Sequence, residues 1–303
     1  MNIENIKVSV IIPTFKRSKF LTRAIDSLLH QTHKNIEIII MDDNHPNSEY
    51  VSKTFEALQV YLNDGRVVYR KNDGNLGCAL ARNEGIKIAT GDYITFLDDD
   101  DVYLPEKIEK QLTYMINNNF DMSFTPLSLY NEENKLIDYR AYTDIKSFEC
   151  IYLKKYHIMR HLTGTDTFMY KRDYILSIGG FGGEDIGDEF YLMYKTICNN
   201  ARIGYMDENY VIAYVHKGEG VSKGSGKIVG ENKLYEFKKS HFNLFSLRER
   251  MFMRFRHYAV LAVTYLRAGE KVSALKYATC AFLSSPIDCF IEPIKLRRKI
   301  KNK

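Results

Sequence analysis

The chain is organised around one segment, Gly91-Asp92-Tyr93-Ile94-Thr95-Phe96-Leu97-Asp98-Asp99-Asp100-Asp101. Its apolar half predicts a buried strand, and four consecutive carboxylates, here called the acidic run, follow directly. Carboxylates this close together repel one another unless a positive charge lies beside them. That charge could come from a hard divalent ion such as Mg²⁺ or Mn²⁺, from lysines and arginines, or from solvent alone. An isolated acidic run is more often a solvated turn, so the surrounding sequence has to decide between these alternatives.

The composition is that of a globular protein. The chain has 303 residues, of which 45% are hydrophobic, enough for a sizeable core. The formal charge is only +5, and much of it lies in the basic tail, Lys295–Lys303, which argues against a nucleic-acid partner. Five widely spaced cysteines form no CxxC pair, so a reducing cytosol is predicted rather than a zinc or redox site. Neither an apolar signal region nor a stretch of about 20 apolar residues is present, and neither secretion nor a membrane span is predicted.

Strands and helices alternate through the first hundred residues. Strands are predicted at 7–12, 36–41, 66–70 and 93–97, and Pro13 is expected to end the first because proline cannot donate to a sheet ladder. This alternation predicts an α/β fold with a mostly parallel sheet and helices on both faces. Ligands bind at the carboxyl ends of parallel strands, so the polar residues that follow these strands should converge on one edge of the sheet. They are Thr14, Asp43, Asn72 and the acidic run.

The middle of the chain predicts a change to antiparallel pairing. Residues 121–131 and 136–142 have the pattern of two strands joined by a polar turn, so the sheet should become mixed there. Residues 147–165 are ambiguous. The last predicted strand is at 210–215, and two or three helices are predicted between 228 and 284. We therefore expect a first domain at residues 1–225 and a helical region at 226–303.

Four motifs, taken in order, resemble the N-terminal half of glycosyltransferase family 2. They are Val8-Ser9-Val10-Ile11-Ile12-Pro13-Thr14-Phe15, the stretch from Gln31-Thr32 to Asp43, the stretch from Gly77 to Gly85, and Gly91 to Asp101. The resemblance implies an inverting, nucleotide-sugar-dependent enzyme of GT-A fold, with a Rossmann-like sheet and flanking helices at residues 1–225. It covers about the first hundred residues well, continues thinly to about residue 220, and says little about the C-terminal helical extension.

The resemblance also implies which residues bind the donor. Asp43 corresponds to the carboxylate that binds the uracil base, and such a group can accept the imide N–H of uracil. Asp42 is the less favoured neighbour. Phe15 could stack on the base or belong to the core, and a guanidinium such as that of Arg82 suits a diphosphate. The implied nucleotide-binding residues are Pro13, Thr14, Phe15, Asp43, Arg82, Asp98 and Asp99.

A metal site is implied by the match of Asp98-x-Asp100 to the DxD signature of the family. Asp100 is the expected direct ligand of Mn²⁺ or Mg²⁺, and Asp98 would reach the ion or the sugar through water. His216, after the last strand, would contact the metal or the diphosphate. A run of four carboxylates leaves the register ambiguous, so the roles of Asp99 and Asp101 stay open.

The general base implied by the resemblance is Asp188, in Gly187-Asp188-Glu189. Glu189 is the alternative, and a first-turn acid is also favoured by the helix macrodipole without any catalytic role. Glu184 and Asp185 are expected on an acceptor-side loop. Gly164-Thr165-Asp166 resembles the acceptor-floor segment of the family.

Together these features predict an inverting, metal-dependent glycosyltransferase that moves a sugar from a UDP-sugar to a glycan or lipid-linked glycan, in surface polysaccharide or glycoconjugate synthesis. A catalytically silent sugar-nucleotide-binding or scaffold protein is one alternative. A nucleotidyltransferase is another, but residues 13–17 lack the glycines that its phosphate loop would require. A cytoplasmic location is predicted, with peripheral membrane contact through the C-terminal helices and the basic tail.

Overall fold

The computed structural model describes residues 2–162, 164–183, 187–216 and 224–301. Its first half is the predicted alternation of parallel strands and helices. The strands are β1 (Val8–Thr14), β2 (Ile36–Asp42), β3 (Val67–Lys71) and β4 (Tyr93–Phe96). The helices between them are α1 (Ser18–Leu29), α2 (Glu49–Leu58) and α3 (Cys78–Ile88). β4, β1, β2 and β3 lie side by side in this order, each parallel to its neighbour.

The central strands are buried on both faces because helices cover both sides of the sheet. Every residue of β1 and β2 is buried. Val10 and Ile12 pack in the same apolar cluster as Leu21 of α1, whereas Ile11 packs on the other face with Ile86 of α3. This two-sided burial is typical of parallel sheets and produces near-continuous apolar strands.

The prediction that Pro13 ends the first strand is wrong, because β1 continues to Thr14. Pro13 is paired in register with Met41, and Thr14 with Asp42. The Leu97 backbone N–H donates to the Ile11 carbonyl, so the backbone N–H and C=O of Ile11 point toward β4. The backbone nitrogen of Pro13, two residues later, points the same way. The β4 ladder ends there, and a proline without an N–H therefore leaves no hydrogen bond unmade.

The second half of the sheet is mixed, as predicted. Within the described residues, the main sheet has the strand order β10-β6-β9-β4-β1-β2-β3. Its remaining strands are β6 (Met122–Phe124), β9 (Met169–Lys171) and β10 (Ile203–Tyr205). β9 is antiparallel to both β4 and β6, and β10 is parallel to β6.

A second sheet lies beside the end of β4. Its strands, in the order β5-β11-β7-β8, are β5 (Val102–Tyr103), β11 (Val211–Val215), β7 (Leu127–Asn131) and β8 (Leu136–Arg140). The strand predicted at 121–131 is therefore two strands, β6 and β7, in different sheets, and Pro126 lies between them. β5 and β10 were not predicted because strands of two and three residues are too short to show a period.

Four more α-helices follow in the described residues up to His216. They are α4 (Lys107–Asn117), α5 (Cys150–Arg160), α6 (Arg172–Ser177) and α7 (Asp188–Cys198), and α5 occupies the stretch that the sequence left ambiguous. The C-terminal part consists of α8 (Gly224–Ser240), α9 (Leu247–Arg267), α10 (Lys271–Ser284) and α11 (Pro286–Lys301). α8 to α10 match the predicted helices, whereas α11 was foreseen only as a basic tail. Among the described residues, no helix has the uninterrupted apolar length that a bilayer span requires.

Candidate active site

The loops that follow β1, β2, β3 and β4 meet at one edge of the main sheet. Asp43 N donates to the Thr14 carbonyl at 2.9 Å, and Asn72 Nδ2 donates to Asp43 Oδ1 at 2.8 Å. Thr14 Oγ1 donates to Asp99 Oδ2 at 2.7 Å, which connects these loops to the acidic run. The convergence predicted from the topology is confirmed.

The Asp43 carboxylate organises the loop before α3. Besides Asn72, it accepts hydrogen bonds from the backbone N–H groups of Leu76 and Gly77, each at 2.9 Å. A carboxylate has about four acceptor positions, so three internal bonds leave room for one more donor. Asp42 also accepts three hydrogen bonds, from the Asn44 backbone N–H at 3.0 Å, from Asn44 Nδ2 at 2.7 Å and from the Tyr69 hydroxyl at 2.6 Å. Asp43 remains the residue that is predicted to bind a base.

Phe15 lies at the same edge and is only half-buried. It belongs to neither of the two large apolar clusters on the faces of the main sheet, whose members come from the strands and their covering helices. The Lys16 ammonium lies 4.8 Å from the centre of its ring. Stacking of the half-buried Phe15 ring on a base therefore stays a prediction, whereas the alternative that it belongs to one of these two clusters is not supported.

The four carboxylates of the acidic run have different partners. Asp99 is buried, accepts a hydrogen bond from Thr14 and is ion-paired with Arg17, whose Nη2 lies 3.1 Å from Asp99 Oδ1. Asp100 is ion-paired with Arg17 Nη1. Asp98 is ion-paired with Arg82, and Asp101 accepts from the Tyr214 backbone N–H at 2.8 Å. The four residues are therefore not equivalent, although the sequence repeats one residue type.

Arg17 was not predicted as a site residue. It lies in the loop after β1, at the same sheet edge as Asp43 after β2. Its position just past a strand end could have identified it as a site residue. The negative charges of the acidic run raise the pKa of its guanidinium, although burial acts in the opposite direction. Arg17 is thus one of the counter-charges that the acidic run requires.

Arg82 is the second counter-charge, and its side chain connects the acidic run to α7. The residue is 3% exposed. Its Nη2 lies 2.5 Å from Asp98 Oδ1, and its Nη1 lies 2.7 Å from Asp188 Oδ2. Burial alone would lower the pKa of this guanidinium, but the acidic groups around it raise the pKa well above the usual value. Arg82 lies on α3, and Gly85, one turn later on the same helix, lets α3 pack closely on β1, because a Cβ at this position would collide with Ile11.

Three carboxylates form a group that fits a hard divalent ion. Asp98, Asp100 and Asp101 each offer one oxygen, and these oxygens lie within 4.8 Å of one another. Carboxylate oxygens suit Mg²⁺ and Mn²⁺. His216, the other predicted ligand, is adjacent, with Nε2 at 3.5 Å from Asp100 Oδ2 and its ring stacked on Phe20 at 4.1 Å. An ion at Asp98 and Asp100 would compete with the Arg82 and Arg17 ion pairs for the same oxygens.

Asp166 lies against the acidic run, which the sequence did not predict. Its Oδ1 accepts from the Asp98 backbone N–H at 2.9 Å. Burial, reinforced by the charge of Asp98, raises the pKa of Asp166 to about 7. Burial and the neighbouring Asp166 raise the pKa of Asp101 well above its usual range, which favours a proton shared by this pair. Because metal ligands must be deprotonated, an ion bound by Asp101 would release that proton.

Asp188 is the first residue of α7 and follows Gly187, whose φ is 78°. Its carboxylate is mostly buried and faces Arg82. Burial and the charge of Asp188 raise the pKa of Glu189 to about 8, so Glu189 is protonated at neutral pH and can hydrogen-bond to Asp188. Asp188 is therefore the acceptor of the two. Glu184 and Asp185 lie outside the described residues.

The sequence was compared with protein families and with curated relatives. The family described as "Glycosyl transferase family 2" matches residues 9–176. An "Uncharacterized glycosyltransferase" of Rickettsia felis is 44% identical over 138 residues, which are 45% of this chain and 22% of that protein. The Escherichia coli protein WfgD, named "UDP-Glc:alpha-D-GlcNAc-diphosphoundecaprenol beta-1,3-glucosyltransferase", is 31% identical over 127 residues, 42% of this chain and 48% of WfgD. The matched region thus spans about a fifth of the Rickettsia protein and about half of WfgD.

Among solved structures, S. aureus TarS 1–349 in complex with UDP-GlcNAc resembles this chain along most of its length. The TM-score is 0.60, the sequence identity is 18%, and the alignment covers 90% of each chain. At this identity the similarity shows the fold alone. The fold is the expected GT-A fold, with a parallel-rich central sheet and additional C-terminal helices.

Proposed function

The chain belongs to glycosyltransferase family 2, and on that premise we propose that it is an inverting, metal-dependent glycosyltransferase. The observation that carries this proposal is the position of Arg82 between Asp98 and Asp188. One buried guanidinium places the acidic run, where a donor diphosphate would bind, next to the carboxylate that would serve an acceptor hydroxyl. A sugar bound between the two would have its leaving group on one side and the base on the other.

We propose a UDP-sugar as the donor. The fourth acceptor position of the Asp43 carboxylate suits the imide N–H of uracil, and the half-buried Phe15 ring suits stacking on that base. Pro13 and Thr14 would lie between the base and the diphosphate, a role supported by the hydrogen bonds of Thr14 with Asp43 and Asp99. That WfgD is named for a UDP-sugar supports the same nucleotide.

Mn²⁺ or Mg²⁺ would be held by Asp98 and Asp100, with His216 beside them. When bound, such an ion supplies Lewis-acid stabilisation of the charge that develops on the departing diphosphate. Arg17 and Arg82 already place two cations at this edge and would contribute to the same stabilisation. Asp99 would act indirectly, because its oxygens are taken by Thr14 and Arg17.

Asp188 would act as the general base. It would accept the proton of the acceptor hydroxyl while that oxygen attacks the anomeric carbon, on the face opposite the diphosphate. A glycosidic C–O bond forms, the C–O bond to phosphate breaks, and the diphosphate leaves with the electron pair. Glu189, protonated at neutral pH, would orient Asp188, and Arg82 would prevent it from turning away.

We infer a glycan or lipid-linked glycan as the acceptor, in the synthesis of a surface polysaccharide or glycoconjugate at the cytoplasmic side of a membrane. The name of WfgD includes a diphosphoundecaprenol-linked acceptor, which supports this class. In this proposal residues 1–225 form the catalytic domain and residues 226–303 form a helical region that serves acceptor access.

The test is turnover of a panel of UDP-sugars by the full chain with Mn²⁺ or Mg²⁺, with and without EDTA. Ion-dependent release of UDP that is lost in Asp188→Asn would support the proposal. Asp173→Asn is the matched control, because that side chain is almost fully exposed. If the wild-type chain binds UDP but neither hydrolyses nor transfers any sugar, a silent binding protein replaces the enzyme. Equal turnover in EDTA would overturn the metal assignment.

A further inference from the structure

The helix α10 has its apolar side chains on the wrong side for a helix packed on a protein core. Val272, Leu275 and Leu283 are 86%, 70% and 74% exposed. The buried residues of α10 are small: Ala274, Ala281 and Ser284. Helices of globular proteins normally turn their large apolar residues toward the core and their polar residues outward. In α10, large aliphatic side chains lie in solvent, and alanines take the buried positions.

The next helix, α11, shows the same inversion. Its inward side chains include two carboxylates, which form ion pairs with other helices: Asp288 with Arg248 at 2.6 Å, and Glu292 with Arg160 at 3.2 Å. Its outward side chains include Phe290, which is 67% exposed. Ile287 and Ile294 are also exposed, and the spacing 287, 290, 294 places the three on one face.

The two helices are consecutive and in contact, and their exposed apolar side chains are here called the α10–α11 face. Apolar residues exposed singly are ordinary, but large contiguous apolar surfaces mark interaction sites. Exposing large apolar side chains to water is unfavourable, and folding of this chain does not remove that exposure.

The formal charge of residues 271–303 indicates which kind of partner the α10–α11 face would bind. Residues 271–303 contain eight lysines and arginines and two carboxylates, so their formal charge is +6, whereas the whole chain carries +5. The two carboxylates are Asp288 and Glu292, which are turned inward to their arginines. The basic side chains of this segment whose burial the structure describes, Lys271, Lys276, Lys295 and Arg297, are all exposed, so positive charge accompanies the apolar stripe.

We propose that the α10–α11 face is a docking surface for a membrane that contains anionic lipids. Its apolar side chains would enter the boundary between headgroups and acyl chains, and the exposed Lys295 and Arg297 would bind lipid phosphates. A second copy of the chain is the competing occupant. A symmetric dimer would bring two such surfaces of +6 against each other, and that repulsion favours lipid.

The proposal rests on the proposed function in one respect: a lipid-linked acceptor would lie in the membrane on which the enzyme docks. Its test needs no donor, no metal and no acceptor. Failure of vesicle binding would leave glycosyl transfer to a soluble acceptor intact, and failure of transfer would leave vesicle binding intact, so the two results are distinguishable.

The experiment is co-sedimentation of the full chain with vesicles of phosphatidylcholine alone or with phosphatidylglycerol added. The expected result is binding to the anionic vesicles, reduced by about tenfold or more in Leu275→Asn/Phe290→Asn because that variant loses apolar contact with the bilayer. The matched control is Val60→Asn/Ile151→Asn. These two side chains are similarly exposed, but Val60 lies just after α2 and Ile151 lies on α5. Circular dichroism would establish that both variants are folded.

The charge is tested separately with Arg297→Glu, for which the exposed Lys110→Glu is the control. Weaker binding to anionic vesicles by Arg297→Glu alone, and loss of wild-type binding at high salt, are expected. The proposal is overturned if the wild-type chain stays in the supernatant, or if the controls lose binding equally. It is also overturned if the chain forms a dimer that the Leu275→Asn/Phe290→Asn variant abolishes, since the face would then be a protein interface.

Discussion

Arg82 Nη1 lies 2.7 Å from Asp188 Oδ2, although the two residues are 106 positions apart in the chain. The same guanidinium is bonded to Asp98 and is almost completely buried. The contact ties the first turn of α7 to α3 and to the end of β4. It thereby defines the distance between the proposed base and the proposed donor site.

Replacing Arg82 with methionine is expected to destabilise the protein strongly. The substitution leaves the mostly buried Asp188 without its cation. Removing one partner of a buried ion pair costs about 3–5 kcal/mol of stability. We expect about 3 kcal/mol here, because the second carboxylate, Asp98, is partly exposed. Urea unfolding would measure the loss, with the exposed Arg254→Met as the control. Arg82→Lys should recover part of the stability. An unfolding free energy equal to that of the control would show that the ion pairs contribute nothing.

Asp100→Ala and Asp99→Ala should separate metal binding from structural support. Asp100 belongs to the carboxylate group that fits an ion, whereas both oxygens of Asp99 are taken up by Thr14 and Arg17. We expect Asp100→Ala to abolish the Mn²⁺-dependent part of UDP binding, measured by calorimetry with and without EDTA. Asp99→Ala should lower thermal stability and keep some of the metal effect. The opposite pattern would move the ligand role to Asp99.

Asp43→Asn and Asp42→Asn form a matched pair. Each of these buried carboxylates accepts several hydrogen bonds, so each substitution should cost about 1–3 kcal/mol of stability. In the proposed site only Asp43 binds the nucleotide, so only Asp43→Asn should also weaken UDP binding. The measurements are urea unfolding and UDP titration of both variants. Weaker UDP binding by Asp42→Asn alone would reverse the assignment.

Glu189 should make stability fall as the pH rises. Its pKa in the folded protein is about 8, against a usual value of 4.5, because burial and the charge of Asp188 oppose ionisation. Between these two values the folded state holds a proton that the unfolded state has released, so the unfolding free energy decreases with increasing pH. Asp101 and Asp166 act in the same direction, so the comparison must be made against a variant.

Glu189→Gln is that variant, because an amide cannot ionise but can still donate to Asp188. Its unfolding free energy, measured in urea between pH 5 and 9, should decline less steeply than that of the wild-type chain. Identical slopes would mean that Glu189 ionises normally in the folded protein.

Much of the candidate site could be predicted from the sequence because the relevant information is local. An apolar run of four to seven residues that ends in a polar cluster specifies both a strand and the place where its loop begins. Repeating this pattern with helices between the strands brings Thr14, Asp43 and the acidic run to one sheet edge, whatever the details of packing. The parallel pairing of β1 to β4, and hence this edge, followed from the sequence alone.

Other features depended on contacts between distant segments. Arg17 meets Asp100 across 83 positions, and Arg82 meets Asp188 across 106, so no local pattern indicates which cation neutralises which carboxylate. Asp166 reaches the acidic run because β9 runs antiparallel beside β4. The two strands β6 and β7 were read as one because the break at Pro126 lies between two short apolar runs.

The sequence by itself determined the sheet, its binding edge and the concentration of positive charge in the last residues, since these follow from periodicity and composition. Only the tertiary structure decided which carboxylates bind arginines and which remain for an ion. It also decided that α10 and α11 turn their large apolar side chains outward, because the direction of a helix face is set by what the helix packs against.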